Sequence, residues 1–210
     1  MTKAVLLDFD GTIINSQPAI NGYLFSLLER KGVSLTQAEK ESLGGISLEH
    51  ILTWLEHEKN LHITPVEMLF HKAYFWLFRF HEIRPFPGAI KLLEKLKQQD
   101  IKMAIVTNSP RAYTIQLLRK NHLTHYFDTI VSVDDAGVAK PDPKMLGMAA
   151  TRLGVSYKDC LLIDDNEPGI LAAKALGIKS IQLKEEKGKG KKLADITLPK
   201  IEQAIPLIHQ

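Results

Sequence analysis

Apolar residues run without alternation at four places along the chain: Ala4-Val5-Leu6-Leu7, Met103-Ala104-Ile105-Val106, Thr129-Ile130-Val131-Ser132-Val133 and Leu161-Leu162-Ile163. A strand covered on one face alternates apolar and polar residues, so unbroken runs predict strands of a parallel sheet buried on both faces. Ile178-Lys179-Ser180-Ile181 is a fifth candidate. Between these runs the period becomes helical. Across 89–99, Ile90, Leu92, Leu93 and Leu96 share one face, with Lys91, Glu94, Lys95 and Lys97 opposite. Segments 110–120, 143–153 and 168–176 each begin at a proline, whose missing N–H has no helical partner in a first turn. Gly154 and Gly177 follow the last two, where a left-handed residue closes a helix. Strands alternating with helices predict an α/β fold with a Rossmann-like parallel sheet core.

Residues 17–83 break this rhythm. They offer no strand pattern but helical patterns over 19–30, 36–42, 47–59 and 65–81. They also hold nine of the chain's fifteen Phe, Tyr and Trp residues and five of its eight histidines, which marks them off in composition. We read 17–83 as an all-helical cap domain inserted into a core made of 1–16 and 84–210, with Pro85 and Pro87-Gly88 at the return.

Composition narrows the class of partner. Of 210 residues, 27 are Lys or Arg and 24 are Asp or Glu. The excess of +3 is accounted for by 184–192, where Lys184, Lys187, Lys189, Lys191 and Lys192 outnumber Glu185 and Glu186. The remainder balances at 22 against 22, so no general electrostatic footprint for nucleic acid exists. Single Cys160 cannot form an intrachain disulfide, and no apolar run approaches 18 residues. With no leader-like start, a cytoplasmic protein without a membrane or nucleic-acid partner is expected, monomeric by default.

In open α/β sheets, ligands bind beyond the carboxyl ends of the strands. Asp8 and Asp10 follow the first run, and Thr107, Asn108 and Ser109 follow the second. Lys140-Pro141-Asp142-Pro143 comes a short loop after the third, and Asp164, Asp165 and Asn166 close the fourth. Four carboxylates, one ammonium and small hydroxyl or amide groups fit a divalent cation beside a phosphate. Close carboxylates repel unless a cation joins them, and hard oxygen ligands suit Mg²⁺. A carboxylate can also attack phosphorus, which splits hydrolysis into two steps. Thr107 and the backbone around Asn108 can bind phosphoryl oxygens, while Lys140 offsets remaining charge.

Asp8-Phe9-Asp10-Gly11-Thr12, Thr107-Asn108-Ser109, Lys140-Pro141-Asp142-Pro143 and Asp164-Asp165 resemble, in order, the four motifs of the haloacid dehalogenase (HAD) superfamily. The likeness spans essentially the whole chain, helical cap included, and points to the phosphatase and β-phosphoglucomutase-like branch. It implies that Asp8 is the nucleophile and Asp10 the general acid and base, with Thr107 and Lys140 completing the catalytic set. Asn108, Ser109 and Gly11 would bind phosphate. Mg²⁺ would be held by Asp8, Asp165, Asp164 directly or through water, and the backbone carbonyl of Asp10. Asp8 beside Mg²⁺ and Lys140 is expected to stay ionised, with the Asp10 side chain turned away. The pattern departs from the family at Gly169, where many relatives carry a further Asp, and at Asn15; the acid at 164 is expected to compensate for the first.

The resulting expectation is a Mg²⁺-dependent phosphatase acting on a small soluble phosphomonoester through an aspartyl-phosphate. A β-phosphoglucomutase-like phosphomutase is the alternative within the superfamily, but its characteristic cap His and Arg correspond to Ile20 and Leu48 here. Asp10 argues against a dehalogenase. No cap lysine can be assigned to Schiff-base phosphonate chemistry. A non-catalytic phosphate-binding or receiver-like module remains the reading from another class; receivers are shorter and place their acids consecutively. Asp134 and Asp135 are expected in a loop, Asp142 at a turn, the cap histidines at surface or packing positions, and Cys160 in the core.

Overall fold

A computed structural model describes residues 2–42, 48–61, 64–184 and 193–208. In chain order its elements are β1 (Ala4–Leu7), β2 (Ile14–Asn15), α1 (Gln17–Arg30), α2 (Gln37–Ser42), α3 (Leu48–Lys59) and α4 (Pro65–Tyr74). Then come β3 (Arg84–Pro85), α5 (Pro87–Gln98), β4 (Lys102–Thr107), α6 (Arg111–Lys120), β5 (Thr129–Ser132) and α7 (Val133–Ala136). The chain closes with α8 (Lys144–Leu153), β6 (Cys160–Asp164), α9 (Glu167–Ala175), β7 (Lys179–Leu183) and β8 (Ile196–Leu198). Two compact units result, one of residues 1–15 and 85–210, the other of 16–84.

The larger unit is the expected α/β fold. Six strands form one sheet in the order β5-β4-β1-β6-β7-β8, every pairing parallel. β1 is central, with Ala4 opposite Lys102 on one side and Cys160 on the other. The chain steps outward from β1 through β4 to β5, then crosses back to β6 on the other flank of β1. That reversal puts the carboxyl ends of β4, β1 and β6 around a crevice, the place such sheets use for ligands.

Absence of alternation in the runs has the anticipated cause. Leu6, Ala104, Val106 and Leu162 on one sheet face pack with Met145, Leu146, Ala149 and Leu153 of α8 and Ile170 of α9. Val5, Leu7, Met103 and Ile105, of opposite parity, are fully buried too. Each such side chain contributes roughly 1.5–3 kcal/mol of transfer free energy. Cys160 is in this core, and burial pushes its thiol up to about 11, as befits a small apolar residue.

Several details depart from the sequence pattern. Val133 is not the end of a strand; it opens α7, because Ser132 and Asp135 form a reciprocal capping box. Asp134 and Asp135 are therefore helical rather than loop residues. Asp135 binds the side chains of Arg111 and Arg152, and Asp134 accepts the Arg111 N–H at 2.7 Å. β8 leaves no mark in the sequence pattern, because three half-buried residues are too few to show a period. Asp142 does make a turn, accepting the Lys144 N–H at 2.9 Å.

The smaller unit is helical. Its final helical segment does not run uniformly to 81: α4 passes at Phe75 into a π-helical turn ending at Arg79, and then a 3₁₀ turn over Phe80–Glu82. The extra residue in the π turn shifts the phase of the side chains, and Phe75 is buried while Leu77 is 73% exposed. Tyr23 gathers the rings of His71, Tyr74 and Phe75 around it. His62 and residues 185–192 lie outside the described residues, as do the side chains of His50, Trp76 and Phe78.

Candidate active site

Lys140 organises the crevice. Its Nζ donates to Asp8 Oδ1 at 2.5 Å, Asp164 Oδ2 at 2.6 Å and the Val106 carbonyl at 3.2 Å. Three strand ends, those of β1, β6 and β4, thus converge on one ammonium. The loop carrying it is fastened by Asn108, whose Oδ1 accepts the Lys140 N–H at 2.8 Å and whose Nδ2 reaches the Lys140 carbonyl. Lys140 is only 7% exposed and Asp164 fully buried. Burial alone would lower the Lys140 pKa, but the charges and hydrogen bonds of Asp8 and Asp164 outweigh it and push the ammonium above its ordinary range.

One ammonium does not balance the acids. Asp8, Asp164 and Asp165 bring carboxylate oxygens within 4.8 Å of one another. With all three ionised, one ammonium would leave a charge of −2, on two buried carboxylates and a half-buried one. Asp8 is consequently pushed well above the usual carboxylate range: burial is the main cause, with the charges of Asp164 and Asp165 adding, and Lys140 opposes without prevailing. The expected ionised Asp8 is therefore not secured by Lys140 by itself. Asp165 is pushed up to about 7 by burial and by Asp164, despite the Thr12 hydroxyl that donates to it at 3.1 Å. An all-oxygen set short of two positive charges is the donor chemistry of a hard divalent cation.

Backbone conformation makes the close approach possible. Gly11 has φ +83, and a Cβ there would fall 2.3 Å from Asp165 Oδ2. Gly169, in the first turn of α9, faces Asp164 in the same way: its Cβ would fall 1.9 Å from Asp164 Oδ2. This explains the departure at 169. A side chain there and the Asp164 carboxylate compete for one space. Asn166 holds both acids, donating its N–H to Asp164 Oδ1 at 2.8 Å and its Nδ2 to Asp165 Oδ2 at 2.9 Å.

Asp10 stands apart from the three-carboxylate group. Its Oδ2 accepts the Ser109 hydroxyl at 2.6 Å and its Oδ1 the Tyr113 hydroxyl at 2.8 Å. Thr107 is buried, with its Oγ1 accepting the Ser109 N–H at 3.0 Å. All nine residues singled out from sequence belong to the larger unit, where hydrogen bonds or close packing link them at the strand ends. Tyr113 was not among them. It lies on α6, beyond the motif-bearing turn, and only the packing of α6 brings its hydroxyl to Asp10. Thr12, within the first motif, and Asn166, just past the fourth run, carry no role in the sequence pattern; the structure gives both a bond to Asp165.

A family model for haloacid dehalogenase-like hydrolases matches residues 5–183. The chain belongs to that family. Among curated proteins it is 28% identical over 209 residues to phosphoglycolate phosphatase 1 of Pseudomonas aeruginosa, covering 93% of this chain and 74% of that protein. It is 30% identical over 184 residues to the bifunctional riboflavin kinase/FMN phosphatase of Arabidopsis thaliana, covering 86% of this chain. The match takes in 48% of the plant protein, so the chain spans about half its length. A solved structure of a candidate β-phosphoglucomutase from Thermotoga maritima superposes with a TM-score of 0.83 at 25% identity, covering 100% of this chain and 99% of that one. Among the described residues no helix is long and apolar enough to cross a membrane.

Proposed function

We propose that this protein is a Mg²⁺-dependent phosphatase that hydrolyses a small soluble phosphomonoester, such as a sugar phosphate or phosphoglycolate, through an aspartyl-phosphate on Asp8. The observation that carries the reading is the joint hold of Lys140 on Asp8 and Asp164, with Asp165 beside them and two positive charges lacking. Phosphatases among its relatives support the same reaction class.

The Asp8, Asp164 and Asp165 carboxylates would hold the cation, with the Asp10 backbone carbonyl as a further ligand. Bound there, Mg²⁺ supplies charge neutralisation for the phosphoryl oxygens and for Asp8 itself. In the first step an Asp8 oxygen attacks phosphorus while the ester P–O bond breaks. Asp10 gives its proton to the departing oxygen, leaving an alcohol, an aspartyl-phosphate and an Asp10 carboxylate. Water then attacks the phosphorus, yields a proton to Asp10 and releases inorganic phosphate from Asp8. Lys140, Thr107 and the N–H groups near Asn108 and Ser109 stabilise the charge on the transferring group.

Residues 17–83 act in this reading as a cap that chooses among esters. Ile20 and Leu48 speak against a phosphomutase, since neither can take a proton from or grip a second phosphate. Cytoplasmic action as a monomer completes the proposal. Asp8→Asn should abolish turnover of p-nitrophenyl phosphate in Mg²⁺ while the chain stays folded; substantial retained activity would sink the mechanism.

A further inference from the structure

The two oxygens of Asp10 are each claimed by a different hydroxyl, and only one of those hydroxyls belongs to a motif. Ser109 donates to Oδ2 at 2.6 Å from the turn after β4. Tyr113 donates to Oδ1 at 2.8 Å from the first turn of α6. The tyrosine is itself anchored, because its ring meets the fully buried ring of Phe9 edge-on, with centroids 6.4 Å apart. Phe9 lies between Asp8 and Asp10 in sequence. Tyr113 therefore grips the first motif twice, through the Phe9 ring and the Asp10 carboxylate.

We propose that Tyr113 is a positioning residue for Asp10 in phosphoryl transfer. The inference rests on the phosphatase reading and deepens it. A carboxyl group on a loop can rotate about χ1 and χ2, and proton delivery requires it within about 2.6–3.2 Å of the departing oxygen. Hydroxyls on both oxygens fix that rotation from the β4–α6 side and keep the carboxyl clear of the three-carboxylate group. Removing the Tyr113 hydroxyl takes away the hydrogen bond that holds Oδ1. Poor alignment raises the barrier where the leaving oxygen must be protonated as the P–O bond breaks. It has little effect where the oxygen departs as a stable phenolate.

The experiment compares Tyr113→Phe with wild type on two esters in Mg²⁺. One is p-nitrophenyl phosphate; the other is whichever of 2-phosphoglycolate and glucose 6-phosphate the wild type turns over faster. kcat/KM is the readout, since it reports steps only through formation of the aspartyl-phosphate. Tyr113→Phe keeps the ring on Phe9, and an unchanged Tm verifies the fold. We expect kcat/KM for the alkyl ester to fall about tenfold while that for the aryl ester stays within about twofold, a part of the effect of general acid catalysis. In an Asp10→Asn background the same change should add no further loss. Equal losses on both esters, no loss on either, or a full further loss in Asp10→Asn would each overturn the role of Tyr113 while leaving the phosphatase reading intact. A wild type with no Mg²⁺-dependent activity on aryl or alkyl esters would overturn both.

Discussion

Gly169 and the Asp164 carboxylate occupy adjoining space so closely that a Cβ on the glycine would fall 1.9 Å from Asp164 Oδ2. The carboxylate cannot readily yield, because Lys140 Nζ holds one oxygen at 2.6 Å and the Asn166 N–H the other at 2.8 Å. Gly169→Ala should therefore displace Asp164 and weaken divalent-cation binding by roughly 10–100-fold, the range seen when the support of a metal ligand is lost. Titration calorimetry with Mg²⁺ measures it. Unchanged affinity would show that Asp164 takes no part in holding the cation.

Lys140 is the sole cation bonded to Asp8 and Asp164 among the described residues. Lys140→Met fills its volume but leaves buried carboxylates unpaired. Breaking such a pair costs about 3–5 kcal/mol. In urea unfolding with EDTA the variant should be destabilised on that scale, and saturating Mg²⁺ should recover part of the loss. A variant as stable as wild type in EDTA would mean that the acids are protonated throughout.

Asp135 supports the sheet edge rather than the chemistry. Burial works against its charge, but the Ser132 N–H and hydroxyl, with Arg152 and Arg111, outweigh it and hold the carboxyl well below the usual range. The unfolded chain thus binds this proton at a higher pH than the folded chain. The contribution is fully present above the ordinary value of 3.8 and is lost as the pH falls below it. Asp135→Asn should lower Tm near neutral pH, consistent with about 1 kcal/mol for a lost cap, and flatten the fall in Tm below about pH 4. Parallel acid limbs for the two proteins would contradict the assignment.

Two leucines separate core from surface. Leu162 is fully buried between strands and helices, whereas Leu171 on α9 is 42% exposed. Leu162→Ala should cost about 2–5 kcal/mol through lost transfer energy and a cavity. Leu171→Ala should cost clearly less. Equal losses in chemical denaturation would show that the α9 contact carries more of the fold than its exposure implies.

Much of the fold was legible because both of its signals are local. An unbroken run such as Ala4–Leu7 can be buried on two faces only inside a parallel sheet, and Pro143 and Gly154 bracket α8 by backbone preference alone. The four motifs were legible for a related reason: a polar residue just past a buried strand lies at the rim where ligands bind. β8 and α7 were not, since one is three residues long and the other depends on a Ser132–Asp135 box that resembles loop composition.

From the sequence alone one could determine the α/β class, the candidate acids and lysine, and their order along the chain. Tertiary structure decided how they share charge. The distances among Asp8, Asp164, Asp165 and Lys140, residues up to 157 positions apart, follow from strand order and register, which no local pattern encodes. Only in that arrangement does burial push Asp8 and Asp165 upward, Gly169 make room for Asp164, and Tyr113 meet Asp10. Coulomb energy, desolvation and steric exclusion depend on separation in space, and the fold sets that separation.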